Sequence, residues 1–281
     1  MKAWNVQMYS PSVADASKSV LVEVLRCLGS YGRYLVLVGG WAPYFILEKF
    51  GGGEHCGSVD IDLVLDPKLI DKKMYATIVE TIGKRGYKPS PDNPFTFHRV
   101  VRSPFNGKEH EIEVDFLTEP EEAKRLHPQF LHIQRDLQAV VMPGCSVVFS
   151  HNFKHTIKGA LPRGGMTSVS ANVADVVGSL TMKGLALEGR YKEKDSYDIY
   201  SMVKFFGGGP VGAARQVKKH LTTPVIKRAM HLMREKFETQ RSEGPFQVAR
   251  FMAPLDAGER DRIQADAYIT AEEFFAELEG V

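Results

Sequence analysis

Asp60 and Asp62 stand two residues apart in the run Val59-Asp60-Ile61-Asp62-Leu63. Side chains two apart on a β-strand leave the same face. On a strand, these two carboxylates therefore project side by side while Val59, Ile61 and Leu63 face the other way. Adjacent carboxylates repel one another unless a cation lies between them. A hard divalent ion with oxygen ligands, Mg²⁺ or Mn²⁺ carrying a phosphate substrate, suits that arrangement. An apolar run at 34–38, Gly39-Gly40 and a helix-like segment at 41–50 come just before. Backbone N–H groups at such a turn, with the positive end of the helix dipole, suit a phosphate.

A further acid lies in the alternating run 110–117, where Ile112, Val114 and Phe116 alternate with Glu111, Glu113 and Asp115. If that strand lies beside the one holding Asp60 and Asp62, Asp115 completes a three-carboxylate cluster of the kind used in two-metal displacement. Glu113 shares its face and is the weaker third candidate. The plain alternative is that all three acids are ordinary exposed strand residues.

Elements around these residues alternate between helix and strand. Helical spacing marks 13–30, 41–50 and 68–86; strand patterning marks 34–38, 58–65, 95–101 and 110–117, with Asn106-Gly107 as a hairpin turn. Gly51-Gly52-Gly53 reads as a flexible loop. Shorter strand-like runs fall at 139–142, 146–150, 153–157 and 166–170. Beyond residue 171 the periodicity becomes helical, at 172–189, 195–206 and 211–238, with Thr270 and Glu273 forming a capping-box signature for 271–279. These patterns predict an α+β fold: a mixed sheet with flanking helices over 1–170, followed by a mainly helical domain over 171–281.

Apolar residues are 43% and charged residues 25% of the 281-residue chain, an ordinary globular balance. No apolar run is long enough to span a bilayer, and no signal-peptide core is present. The three cysteines, Cys27, Cys56 and Cys145, imply no disulfide framework. A cytoplasmic protein is expected. The net charge of +2 is uneven: residues 151–250 hold 17 Lys and Arg against 8 Asp and Glu, while 251–281 hold 2 against 8. The basic stretch is either the footprint of a polyanion or a set of solvated helix faces, and the acidic tail could pack against it.

Gly39-Gly40, Asp60-Ile61-Asp62-Leu63 and Val114-Asp115-Phe116 together resemble the polymerase-β-type nucleotidyltransferases. Two departures are evident: the interval from Gly40 to Asp60 is long, and Trp41 stands where a small or hydroxyl residue often sits. A second block, from Met182-Lys183 through Arg190 and Lys194-Asp195 to Asp198, resembles the helical segment of the AbiEii/AbiGii-type abortive-infection toxins, as does 159–165. The resemblance spans about residues 34–206. It implies a polymerase-β-like catalytic sheet domain. Asp60, Asp62 and Asp115 would hold Mg²⁺ (or Mn²⁺), and Gly39 and Gly40 the NTP phosphates. Lys183, Arg190 and Lys194 would serve nucleotide or RNA backbone, Asp198 would be a further acid, and Asp195 could cap or form a salt bridge.

The implied reaction moves an NMP group from an NTP to an acceptor hydroxyl, with a tRNA 3′ end as acceptor and a toxin role opposed by an antitoxin protein. A protein hydroxyl or a small molecule such as an antibiotic is an alternative acceptor. A module that binds a nucleotide or a partner without catalysis is the reading from a different class. No membrane partner is expected.

Overall fold

A computed structural model describes residues 5–66, 72–119, 129–134, 137–253 and 255–280. In chain order the elements are α1 (Pro11–Cys27), β1 (Leu35–Leu37), α2 (Trp41–Phe50), β2 (Ile61–Leu65), α3 (Lys72–Gly83), β3 (Lys88–Pro89), β4 (Thr96–Arg102), β5 (Glu109–Thr118), β6 (Phe130–Gln134), β7 (Leu137–Val141), β8 (Asn152–Ala160) and β9 (Met166–Ala174). Helices follow: α4 (Val176–Gly189), α5 (Glu193–Phe205), α6 (Gly209–Lys218), α7 (Pro224–Lys236), α8 (Glu243–Met252) and α9 (Ala257–Glu279). The fold is α+β, a mixed sheet with helices and a helical C-terminal part, as the periodicities predict.

The chain forms two compact units. A sheet unit comprises Ser10–Ala42 and Gly57–Ala174; a helical unit comprises Met1–Tyr9, Pro43–Cys56 and Asp175–Val281.

In the sheet unit the strands run β3-β4-β5-β2-β1-β9-β8, with β7 also beside β5 and β6 beside β7. Pairing is antiparallel for β1/β2 and parallel for β2/β5 and β1/β9. Period-two alternation sends Ile112, Val114 and Phe116 of β5 fully inside, while Glu111 and Glu113 stay exposed. Ile61 and Leu63 of β2 join them, with Val20, Leu21 and Val24 of α1 in the same core. Burying a side chain of that size contributes roughly 1.5–3 kcal/mol. Pro11 opens α1 at its first turn, where proline's missing N–H costs nothing.

Several expected elements differ. The strand over 58–65 begins only at Ile61, and Asp60 lies in a bend before it. Residues 145–149 form a 3-10 helix in place of a strand, because Glu119 Oε2 accepts from the Gly144 and Ser146 N–H groups and caps the turn. The helix over 68–86 is described only as α3; 68–71 lie outside the described residues. The helix over 211–238 is two, interrupted before Pro224, which opens α7. The last helix starts far earlier than Thr270: Asp256 caps α9 by accepting from Glu259 N–H at 2.9 Å, and Thr270 is buried mid-helix.

In the helical unit Gly51 and Gly53 are close-packing positions and not a flexible spacer. A Cβ on Gly51 would stand 2.4 Å from the Phe205 carbonyl oxygen, and one on Gly53 2.4 Å from the Phe205 ring. The core gathers Phe251, Phe274, Phe237 and Met233, with Tyr197 tilted over Phe251 at 4.6 Å between ring centroids. Much of the basic charge of 151–250 is matched inside this unit. Arg215 pairs with Glu277 at 3.0 Å, Arg234 with Glu272 at 2.7 Å, and Lys204 with Asp266. The acidic tail thus packs against the basic helices. Among the described residues, no helix is long and apolar enough to cross a membrane.

Candidate active site

Each carboxylate of the sheet unit is placed by a different local cause. Asp62 is the second residue of β2, whose apolar neighbours Ile61 and Leu63 are fixed in the core and so turn Asp62 to the opposite face. Asp115 holds the equivalent position on β5, and the parallel ladder pairs the two directly: Asp62 opposite Asp115, between the pairs Ile61–Val114 and Leu63–Phe116. Neighbouring strands lie about 4.8 Å apart, so both side chains leave one face as neighbours. Both are half-buried.

Asp60 does not share the strand geometry that the alternation predicts. In its bend, the carboxylate accepts a short hydrogen bond from the buried Ser58 hydroxyl. A hydroxyl also holds Asp115: Thr96 Oγ1 donates to its Oδ1 at 2.6 Å, from the position directly opposite on β4. Ser58 sits two residues before Asp60 and could have been noticed in the sequence. Thr96 carries no such signal, because only the β4/β5 register brings it to Asp115.

Gly39 shapes the other side of Asp62. Its φ of +65° is left-handed, and a Cβ there would stand 1.8 Å from Asp62 Oδ2. The carboxylate therefore lies directly against the glycine backbone, a cradle that any larger residue would fill. The Val38 N–H donates to the Asp62 carbonyl at 3.0 Å, extending the β1/β2 pairing to this point. Gly40 then leads into α2. Trp41, its first residue, is buried and donates from Nε1 to Ser17 Oγ at 3.0 Å. Its ring would be 3.2 Å from a Cβ on Gly57, so this bulky residue is accommodated as packing.

Cys145 is buried on the 3-10 turn. Burial pushes its thiol well up, with Glu119 and then Asp62 adding negative charge.

Among the described residues, no three His, Cys, Asp or Glu side chains gather closely enough to hold a metal ion by themselves. Mg²⁺ does not demand that. It is usually bound through one or two carboxylates plus substrate phosphates and water. Paired carboxylate oxygens on adjacent strands, with Asp62 against a glycine turn, fit that requirement.

The residues of the second block come together in the helical unit. Lys183 on α4 reaches Asp195 Oδ1 and Asp198 Oδ2, each at 2.7 Å; Lys194 reaches Asp198 Oδ1 at 2.5 Å. Arg190 grips Asp195 through Nε at 2.8 Å and Nη2 at 3.1 Å. Asp195 is thus a salt-bridge residue, one of the two roles its sequence context left open. Lys194 and Asp198 are one turn apart on α5, which sets them on one helix face.

His55, which no motif in the sequence singles out, completes this group with Nε2 2.9 Å from Asp198 Oδ1. An ionised carboxylate only accepts, so His55 is the Nε2–H tautomer. The ring stacks on Tyr197 at 5.2 Å.

Asp198 is 0% and Lys194 3% exposed, so this network is a buried one. Burial opposes every charge in it. For Asp198 the Lys183 and Lys194 ammonium groups outweigh burial and hold the carboxyl far below its usual range. Burial likewise works against Lys183, but Asp195 and Asp198 raise it above the ordinary lysine value. Asp198 does the same for Lys194. For His55 burial wins, aided by Lys194, and lowers the imidazole to about 4. At neutral pH the group holds three cations, two carboxylates and a neutral imidazole.

Among solved structures, the chain is similar to the crystal structure of an antigenic nucleotidyltransferase-like protein from Paracoccidioides brasiliensis. The identity is 13% over 79% of this chain and 89% of that chain, with a TM-score of 0.46. A likeness that loose assigns neither fold nor activity. No family model and no curated protein matches the chain.

Proposed function

We propose that the sheet unit is a Mg²⁺-dependent nucleotidyltransferase that moves an NMP group from an NTP to an acceptor hydroxyl. The observation that carries this reading is the direct opposition of Asp62 and Asp115 across β2 and β5, with the Asp62 carboxylate against Gly39. The motif resemblance of Gly39-Gly40, Asp60-Ile61-Asp62 and Val114-Asp115-Phe116 supports it.

Asp62 and Asp115, joined by Asp60 as the family resemblance implies, would hold the metal (Mg²⁺ or Mn²⁺) together with substrate phosphates, and it would neutralise phosphate charge and lower the pKa of the acceptor hydroxyl. The chain's own contribution is placement. Ser58 and Thr96 donate to Asp60 and Asp115 and so orient those carboxylates. Gly39 leaves room for the Asp62 carboxylate and, with Gly40, would bring backbone N–H groups to the triphosphate, as the motif resemblance implies. Phosphoryl-transfer catalysis rests mainly on such alignment and charge stabilisation.

In the helical unit Lys183, Arg190 and Lys194 are engaged with Asp195 and Asp198. A role for Lys183 toward the leaving pyrophosphate, for Arg190 and Lys194 toward nucleotide or RNA, and for Asp198 as an acid rests on the family resemblance.

RNA, with a tRNA 3′ end first, is the proposed acceptor, and a toxin role countered by an antitoxin protein goes with it. The exposed face of β8, where Lys154 and Lys158 lie two steps from each other across Thr156, is a surface suited to a phosphate backbone.

The test supplies each α-labelled NTP with Mg²⁺ and total RNA. Label should move to RNA, and transfer should be lost in Asp62→Ala. Undiminished transfer by that variant would sink the assignment. Label on protein or on a small molecule would keep the chemistry and change the acceptor. Transfer to RNA should also fall steeply as salt rises, through counterion release.

A further inference from the structure

The opposite end of the sheet unit holds a second feature, independent of the carboxylates. A cavity of about 350 Å³ is lined by Arg26, Arg85 and Arg163, with Glu23, Cys27, Thr81 and Leu161. These residues come from separate places: the last turn of α1, the last turn of α3 and the turn after it, and the β8–β9 turn. β9 runs parallel to β1 with Val173 opposite Leu37, and Leu37 also pairs with Leu63 beside Asp62. Met166, where β9 leaves the turn, is seven residues before Val173, roughly 23 Å away along the strand. The cavity is therefore remote from the Asp62–Asp115 pair.

Its electrostatics are one-sided. Among the described residues Glu23 is the only acid lining it, and Arg99 holds that carboxylate from outside the lining, Nε to Oε2 at 3.0 Å. Among the described residues, Arg26, Arg85 and Arg163 form no ion pair. Arg26 instead donates to Thr167 Oγ1 at 2.9 Å, which ties it to the hairpin. Burial raises the half-buried Cys27 thiol, and the nearby Arg85 guanidinium works against that by favouring the ionised form. The β8–β9 turn is closed by Leu161 and Gly165 with Gly164 in the left-handed region, so Arg163 is presented from a defined loop.

Three exposed guanidinium groups from three elements line one cavity and give it a positive field that suits an anion. Guanidinium forks match phosphate oxygens two at a time. The volume lies at the small end of the roughly 300–1,000 Å³ typical of small-molecule sites. We propose that this arginine-lined cavity is a binding site for a diphosphate or triphosphate group of nucleotide size, without a metal.

The probe is inorganic pyrophosphate, added to the full chain in EDTA so that metal-dependent binding at the carboxylates is silent. Binding is followed by calorimetry, and the alkylation rate of Cys27 by mass spectrometry. Pyrophosphate should bind and slow Cys27 alkylation, with the affinity falling about tenfold or more in Arg85→Gln/Arg163→Gln. Arg163→Gln alone, on an exposed turn, should weaken binding in the same direction if the double variant folds poorly. Repeating the titration with ATP and with a single-stranded oligonucleotide distinguishes a free nucleotide from a nucleic-acid phosphate. ATP behaving like pyrophosphate supports the proposal. No binding in EDTA, unchanged affinity in the variants, or protection by the oligonucleotide alone overturns it. Asp62→Ala should bind pyrophosphate normally, so this outcome and the fate of the transfer assay are separable.

Discussion

Asp62 and Asp115 stand directly opposite one another on neighbouring parallel strands, half-buried and facing the same way. Like charges in directly opposed positions destabilise a sheet. That arrangement is a cost to the fold by itself and an asset once a cation is shared. Asp62→Asn and Asp115→Asn should therefore each lose about 10²-fold or more of nucleotidyl transfer. Without divalent metal, each should be as stable as wild type or more stable, by up to about 1 kcal/mol. Activity assays paired with thermal melts in EDTA check both halves; a large fall in stability would show that the carboxylates serve the fold.

Gly39→Ala should damage both stability and transfer. The new Cβ would need the place of Asp62 Oδ2, at 1.8 Å, in a left-handed conformation. Backbone strain alone costs about 1–3 kcal/mol, and the displaced carboxylate should raise the Mg²⁺ concentration needed for half-maximal activity. Chemical denaturation and a metal titration measure the two effects separately.

Thr96→Val and Ser58→Ala remove the hydroxyls that orient Asp115 and Asp60. Such partners behind metal-binding groups are typically worth about 10–100-fold in metal affinity or activity. The expected signature is a raised Mg²⁺ requirement with near-normal NTP dependence at saturating metal. If both variants keep the wild-type Mg²⁺ curve, the hydroxyls are ordinary packing.

Asp198→Asn should be severe for folding. Removing this carboxylate leaves the buried Lys183 and Lys194 without their shared partner. Breaking a buried ion pair in this way costs about 3–5 kcal/mol. Urea denaturation should show the midpoint shifting sharply down. Asp195 still faces Lys183, so adding Asp195→Asn, which leaves Lys183 with neither carboxylate, should cost more than the two single losses summed, a coupling that a double-mutant cycle reads.

Stability should also fall with acid in a window set by His55. The folded imidazole refuses a proton until about pH 4, whereas in the unfolded chain it accepts one near its ordinary 6.5. Between those values the unfolded state binds more protons. Stability therefore rises with pH across the window and is lost as pH falls through it, by about 3 kcal/mol in all. His55→Gln, which can still donate to Asp198, should flatten the profile between pH 6.5 and 4. Asp198 and Asp195, held low by their lysine and arginine partners, give up their contribution only in stronger acid. An unchanged slope in His55→Gln would place the acid lability elsewhere.

What was legible in the sequence followed from period and residue type. Alternation in β5 announced which of its residues are buried, because a pleated strand has only two faces. The same rule failed at Asp60, where a bend held by Ser58 interrupts the pleat. It also failed at 145–149, where the Glu119 carboxylate caps a helical turn from 25 or more residues away. The basic stretch of 151–250 had two readings from charge alone. Its pairing with the acidic tail is visible only once α6 and α7 meet α9.

The sequence by itself determined that three carboxylates are set in apolar runs and that a double glycine precedes two of them. Side-chain periodicity and backbone freedom are local properties, so a chain carries them wherever it folds. Tertiary structure alone decided that Asp62 faces Asp115, that Thr96 holds Asp115, that His55 meets Asp198, and that three arginines from distant segments line one cavity. Those relations depend on strand order and register, which are set by how the whole core packs. The Asp62–Asp115 opposition is the clearest case: 53 residues separate the two in the chain, and one parallel ladder joins them.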